Sequence, residues 1–327
     1  MKILVTGSSG HLGEALVRTL RDTDWSVVGL DVQPSPFTDI VGSIADAAVV
    51  AKAMQGVDGV LHTATLHKPH VVTHSRREFV DTNIVGTLTL LDAAVVAGIT
   101  AFIYTSTTSV FGRALTPGAG EPTAWITEAV APIPKNIYGV TKKAAEDLCE
   151  LFNTKFGLPC LVLRTSRFFA NEDDDANLRR RYVDQNVKAN EYLYRRVDLA
   201  DVVTAHLLAL ERAPAIGFGR YIVSATAPFS PEHTAGLRDD APRVLRELFP
   251  AYETEYERRG WKMFTGIDRI YVNTLARQEL GWDPHWTFAR VLDCLAANED
   301  PQSPLARTVG IKGYHPGRPA EELYPTE

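Results

Sequence analysis

Short, purely apolar runs alternate along this chain with stretches whose apolar positions recur every three or four residues. "KILVT" (2–6) is an apolar run closed by Gly7, the pattern of a strand covered on both faces. Leu12, Ala15, Leu16, Thr19 and Leu20 then follow at helical spacing. "SVVGLD" (26–31), "GVLHTA" (59–64), "AFIYTS" (101–106) and "CLVLR" (160–164) predict further strands. Phe79, Ile84, Leu88, Leu91 and Val95 predict a long helix over roughly 76–97, and residues 138–156 predict another. Such alternation implies an α/β fold with a doubly wound parallel sheet.

The order loosens after residue 165. Residues 170–190 are polar and read as a loop or a short excursion, followed by an amphipathic helix over 198–213 and a strand in "GRYIVSA". Short helices are expected within 228–297, including 272–280 and 287–297. The proline-rich end (Pro301, Pro304, Pro316, Pro319, Pro325) reads as an extended tail. The expected organisation is a doubly wound domain over 1–165 and a smaller region over 166–297. Some elements of that region return to the first core, and the tail covers 298–327.

The 327 residues are 45% hydrophobic and 23% charged, an ordinary globular balance. A net charge of −6 without a long basic run speaks against nucleic acid or an acidic membrane as partner. Arg179, Arg180 and Arg181 are preceded by Glu172, Asp173, Asp174 and Asp175, and the two runs offset each other locally. Cys149, Cys160 and Cys294 form no CxxC pair, so a reducing, cytoplasmic setting is expected. "MKILVTG" lacks a signal-peptide pattern, and no uninterrupted apolar run reaches membrane-spanning length.

"VTGSSGHLGEAL" joins the first strand to the first helix, with Gly7, Gly10 and Gly13 in GxxGxxG spacing. Gly7 permits a tight turn, Gly10 lets a pyrophosphate approach the backbone, and Gly13 lets the helix pack on the sheet. The helix N-terminus then offers free N–H groups to phosphate. Asp31 ends the second strand, where a carboxylate accepts hydrogen bonds from adenosine ribose hydroxyls and repels a 2′-phosphate. Gln33 and Pro34 follow without a basic residue, which favours NAD over NADP.

With "TGSSGHLG", Asp31, "LHTAT" (61–65), "DTNIVGT" (81–87), "YTSTTSVFG" (104–112), "YGVTK" (138–142) and "VDLADVVTAH" (197–206), the chain resembles the extended short-chain dehydrogenase/reductases of the NAD-dependent epimerase/dehydratase type. The resemblance spans about residues 1–297 and implies a Rossmann-type fold, NAD, and a homodimer built on the helices at 76–97 and 138–156. It implies a triad of Thr107, Tyr138 and Lys142, with Ser106 and Thr108 as near alternatives to Thr107. For the cofactor it implies Gly7, Gly10, His11, Leu12, Gly13, Asp31, Ser43, Ile44, Thr63, Ala64, Thr65 and Asn83, together with Tyr138 and Lys142. Ser43 stands where relatives often carry an acid beside adenine. Substrate contacts are expected from His67, Thr107, Thr108 and Arg167. Tyr138 and Lys142 share a helix face, and a nearby ammonium is expected to lower the phenol pKa from about 10.

Three readings of activity follow. The first is net NAD-dependent hydride transfer at a carbinol or carbonyl of a small sugar-like or acidic substrate, with Tyr138 as acid/base. The second is a nucleotide-sugar epimerase or dehydratase with tightly held, recycled NAD. The third, a non-catalytic NAD-binding regulator, conflicts with the complete triad. "LRTSRFF" places Thr165, Ser166 and Arg167 where sugar-nucleotide relatives often read tyrosine, phenylalanine, asparagine, and the stretch from Arg164 to Asp198 is short for such relatives. Arg167 suits an anion. Both features favour the first reading. His67, His70 and His74 lack a cysteine partner and read as a polar loop, not a zinc site. No metal is expected.

Overall fold

The computed structural model describes residues 1–313 apart from Asp174. Its strands are β1 (Lys2–Thr6), β2 (Ser26–Asp31), β3 (Ile40–Val41), β4 (Gly59–His62), β5 (Ala101–Thr107), β6 (Ala124–Ile126), β7 (Cys160–Thr165), β8 (Phe218–Val223) and β9 (Arg269–Tyr271). Seven of them form one parallel sheet in the order β3-β2-β1-β4-β5-β7-β8, and β6 pairs with β9 apart from it. Leu4 lies beside Val28, Val60 beside Phe102, and Arg164 beside Ile222. All these pairings are parallel, as expected where both faces are covered and the strand centres are mainly apolar.

The helices are α1 (His11–Arg21), α2 (Ala47–Ala53), α3 (Arg76–Val80), α4 (Gly86–Ala97), α5 (Ile137–Phe156), α6 (Ala176–Arg181), α7 (Asp184–Glu191), α8 (Leu199–Ile216), α9 (Thr234–Asp239), α10 (Ala241–Leu248), α11 (Tyr252–Arg259), α12 (Thr274–Leu280), α13 (Phe288–Ala296) and α14 (Pro304–Val309). One core joins the sheet to α1, α8, α12 and α14; a second joins its other face to α2, α4 and α5. A third gathers Val187, Leu193, Phe229, Leu237, Ile270 and Val291 in the C-terminal region.

The predicted helix over 76–97 is helical throughout, but Asp81–Val85 widen into a π turn between α3 and α4. By length and composition alone, Arg76–Ala97 is the one helix among the described residues long and apolar enough to cross a membrane, with mean hydropathy 1.5. Here it buries Leu90, Leu91 and Ala94 in the core that also holds α2 and α5.

Two expectations are corrected. The polar stretch 170–190 contains α6 and α7, because Asp175 caps α6 and α7 turns Val187, Ala189 and Glu191 inward. The end of the chain is not simply extended. Ser303 caps α14, Pro304 suits its first position, and Ala306 and Val309 are buried. The tail beyond residue 313, with Pro316, Pro319 and Pro325, lies outside the described residues, as does Asp174.

Candidate active site

The glycine loop follows directly from its sequence. Gly7 has φ +73°, and a Cβ there would lie 2.7 Å from the Ala64 nitrogen; a Cβ on Gly13 would lie 1.9 Å from the Gly7 carbonyl oxygen. Both positions exclude a side chain. Gly10 precedes α1 without a side-chain cap, and the first turn of the helix, His11 to Gly13, presents its positive dipole end to an anion. Asp31 faces the loop: Oδ2 accepts the Ser9 N–H at 3.0 Å and Oδ1 the Gln33 N–H at 2.8 Å. Thr63 donates to the Thr6 carbonyl at 2.7 Å, and the Ala64 N–H reaches the Thr6 hydroxyl at 3.3 Å. A helix N-terminus beside a strand-end carboxylate fits a dinucleotide's diphosphate and ribose. Ser43 accepts the Ala45 N–H at 3.1 Å, and Ile44 is buried against Gly86 at the β3 end.

Asn83 acts as a brace, and the π turn aims it. Its amide donates to the Leu66 carbonyl (2.8 Å) and to Thr141 (3.0 Å), while its oxygen accepts from Leu66 N–H and the Thr65 hydroxyl. The loop after β4 is thereby tied to α5, one residue before Lys142. Such π insertions are frequent at functional sites.

The triad forms where β5 ends against α5. The Tyr138 hydroxyl is hydrogen-bonded to Thr107, whose oxygen also accepts the Ser109 N–H at 3.1 Å. Ser106 is committed elsewhere, donating to buried Glu146 at 2.5 Å, and Thr108 opens a short 3-10 turn. Lys142 donates to the Thr105 carbonyl at 2.6 Å and sits 4.2 Å from the Tyr104 ring centroid. Burial pushes the Lys142 amine down to about 7, against the opposing pull of Glu146. Burial pushes the Tyr138 phenol up to about 12, only partly offset by Thr107. The expected lowering of the phenol is therefore not seen. The ammonium is directed at a carbonyl and a ring face, so desolvation dominates at Tyr138.

Sequence reasoning did not reach the support of Lys142. β4 pairs with β5 only as far as His62 opposite Tyr104, so Thr105 lies one residue beyond that pairing, with its carbonyl taken by Lys142. The Thr105 hydroxyl is held by His206 Nε2 at 2.8 Å, while His206 Nδ1 lies 2.7 Å from the Val202 carbonyl. A carbonyl only accepts, so Nδ1 carries the proton and Nε2 accepts. Burial holds this imidazole at about 4, hence neutral. His206 sits in the motif "VDLADVVTAH", but only packing shows what it touches.

Arg167 does not join the triad. Its Nη1 pairs with Asp173 at 2.8 Å and its Nε approaches Glu191 at 3.7 Å. Arg195 and Arg196 share the same carboxylates. Burial works to raise Glu191, but the three arginines overcome it and hold the carboxyl down to about 2. The His67 ring stacks on Phe169 at 5.3 Å and meets His70 edge-on at 4.7 Å, and Phe169 also touches the His11 ring. Among the described residues, no group of three His, Cys, Asp or Glu side chains is arranged to hold a metal.

Residues 3–223 match the family described as NAD dependent epimerase/dehydratase. The chain is 26% identical to a Mycobacterium tuberculosis 3 beta-hydroxysteroid dehydrogenase/Delta 5-->4-isomerase over 90% of its own length and 89% of the relative's. It is 31% identical to a Stigmatella aurantiaca ketoreductase acting on a farnesyl-dihydroquinoline oxide, over 70% of this chain and 69% of that one. Among solved structures, an Agrobacterium tumefaciens short-chain dehydrogenase/reductase with bound NAD superposes with TM-score 0.64 at 24% identity, covering 91% of this chain and 96% of the other. MoeE5 in complex with UDP-glucuronic acid and NAD superposes with TM-score 0.65 at 21% identity, covering 94% and 99%.

Proposed function

Because the chain belongs to the NAD-dependent epimerase/dehydratase family and is an NAD-dependent enzyme of that family, we propose that it performs net hydride transfer at a carbinol or carbonyl of a small sugar-like or acidic substrate. The observation that carries this reading is the hydroxyl pair formed by Tyr138 on α5 and Thr107 at the end of β5, with Lys142 on the same helix as Tyr138. Bound NAD supplies the hydride acceptor, or as NADH the donor. Gly10 and the first turn of α1 hold its diphosphate, and Asp31 its adenosine ribose. Thr107 orients the substrate oxygen, and Tyr138 gives or takes its proton at Oη. Burial raises the phenol to about 12, so Tyr138 carries its proton at neutral pH. Oxidation requires additional positive charge at the phenol to draw off that proton.

Net turnover is supported by the two relatives above, whose printed activities are dehydrogenase and ketoreductase and whose similarity extends over most of the chain. An anionic substrate is supported by the Arg167 cluster, where Arg167, Arg195 and Arg196 gather around Asp173 and Glu191 at a partly open surface. One observation favours the second reading, a nucleotide-sugar epimerase or dehydratase. An open recess of about 250 Å³ is lined by Arg181, Arg195, Tyr182, Tyr194 and Phe264, a mixture suited to a base and phosphates. The deciding experiment adds NAD and a panel of sugars, sugar acids, hydroxysteroids and UDP-sugars to purified protein. Accumulation of NADH beyond one equivalent per chain supports net oxidation. NAD that stays bound while a UDP-sugar epimerises or loses water refutes it.

We also infer a homodimer through the helices at 76–97 and 138–156. Val85, Leu88 and Val96 on the first, and Val140, Leu151 and Phe156 on the second, are solvent-exposed in the single chain. Light scattering that finds a monomer at all concentrations overturns this assignment.

A further inference from the structure

The C-terminal segment crosses back to the glycine loop. Ser303 is fully buried; its N–H is held by Asp198 at 3.1 Å and its hydroxyl caps α14, which packs on α1 and α8. Beyond α14, Lys312 reaches three elements. Its N–H donates to His11 Nε2 at 3.1 Å, its carbonyl accepts the Asn171 amide at 3.4 Å, and its ammonium pairs with Glu14. Glu14 lies in the first turn of α1 at 5% exposure, with Arg18 Nε at 2.8 Å on its other side.

A carboxylate there suits the helix dipole but opposes a diphosphate bound at the same helix end. Arg18 cancels one charge, and Lys312 leaves the trio with net charge +1. His11 adds none, because its Nε2 accepts the Lys312 N–H and is therefore unprotonated. Lys312 also lies far beyond the family match, which ends at residue 223.

We infer that Lys312 is a cofactor-site residue: by offsetting Glu14 it makes the first turn of α1 receptive to the NAD diphosphate. The inference rests on the NAD assignment. Calorimetry with NAD and with adenosine, which lacks the diphosphate, tests it on the wild type, Lys312→Met, Glu14→Gln and the double variant. Lys312→Met is expected to weaken NAD roughly tenfold at low salt, the effect of one partly screened charge at close range, and to leave adenosine unchanged. Glu14→Gln in that background is expected to return NAD affinity to within about threefold of wild type, and Lys312→Arg to match wild type. Thermal melts verify folding, and Lys312→Gln replaces Lys312→Met if the latter is unfolded. Unchanged NAD affinity in Lys312→Met, an equal loss for adenosine, or a double variant as weak as the single one overturns the inference. A wild-type chain that binds no NAD overturns the cofactor assignment as well, which separates the two failures.

Discussion

Two ionic clusters lie along β7, one beneath its strand residues and one beyond its end, and they are built to opposite specifications. Beneath the catalytic helix, Glu146 is fully buried and is gripped by Arg164 through Nη2 at 2.8 Å and by the Ser106 hydroxyl; Arg220 approaches at 3.6 Å. Beyond β7, Asp173 and Glu191 are shared among Arg167, Arg195 and Arg196, and the first two arginines remain 28% and 30% exposed. The first cluster dedicates its groups to one geometry, the floor on which Tyr138 and Lys142 stand. The second sits at a partly open surface, beside the crevice at the strand ends where open α/β sheets bind ligands. The same residue chemistry is thus enclosed in one place and partly open to solvent in the other, and exposure separates the two.

The largest effect is expected at the side chain that stands on this floor. Tyr138→Phe keeps the ring and its packing and removes the titrating hydroxyl. Single-turnover rates are expected to fall by roughly a hundred- to ten-thousand-fold, with NAD affinity and melting temperature preserved. A wild-type rate in this variant removes Tyr138 from the mechanism.

Next comes the floor's ionic support. Arg164→Met leaves Glu146 buried with only distant Arg220 and Ser106, and is expected to cost about 3–5 kcal/mol in urea unfolding. A loss below about 1 kcal/mol places the two clusters on the same footing and breaks the comparison.

Acid titration probes the second cluster. Glu191 is held at about 2, below its ordinary 4.5, so its contribution of about 3 kcal/mol is complete above the unfolded value. It is lost as pH falls from about 4.5 through about 2. The stability advantage of wild type over Glu191→Gln is expected to narrow by about 1 kcal/mol between pH 7 and pH 4. An advantage that widens over this interval contradicts the assigned ion pairs.

The smallest effect is assigned to Thr107→Val. One neutral hydrogen bond contributes about 1 kcal/mol, so kcat/KM is expected to fall roughly fivefold. A loss as large as that of Tyr138→Phe makes Thr107 an equal partner in proton transfer.

Much of the sheet could be read from the chain because its central strands are covered on both faces and so carry short, mainly apolar runs. "CLVLR" and "SVVGLD" announce β7 and β2 in this way. The glycine loop was legible for a different reason: Gly7 and Gly13 occupy positions where a Cβ has no room. The two-residue β3 and the β6–β9 pair carry too few residues for a period to emerge. Arg167 shows the limit within the site. Its identity announces a cation, but Asp173 at six positions' remove and Glu191 beyond α7's start decide how much of that charge is spent.

What the sequence determined by itself was the set of local requirements: strand runs, helix periods, glycines with no room for a side chain, and Tyr138 and Lys142 on one helix face. These depend on neighbours a few residues away, which a linear text records. The tertiary structure decided what depends on distant neighbours. It raised the phenol by burial where a lowered value was expected, selected Thr107 over Ser106 as the partner of Tyr138 by engaging Ser106 with Glu146, and set His206 behind Thr105. It also carried Lys312 onto Glu14, 298 positions away. Desolvation and ion pairing act through space at a few ångströms, and no period in the sequence encodes which distant charge arrives there.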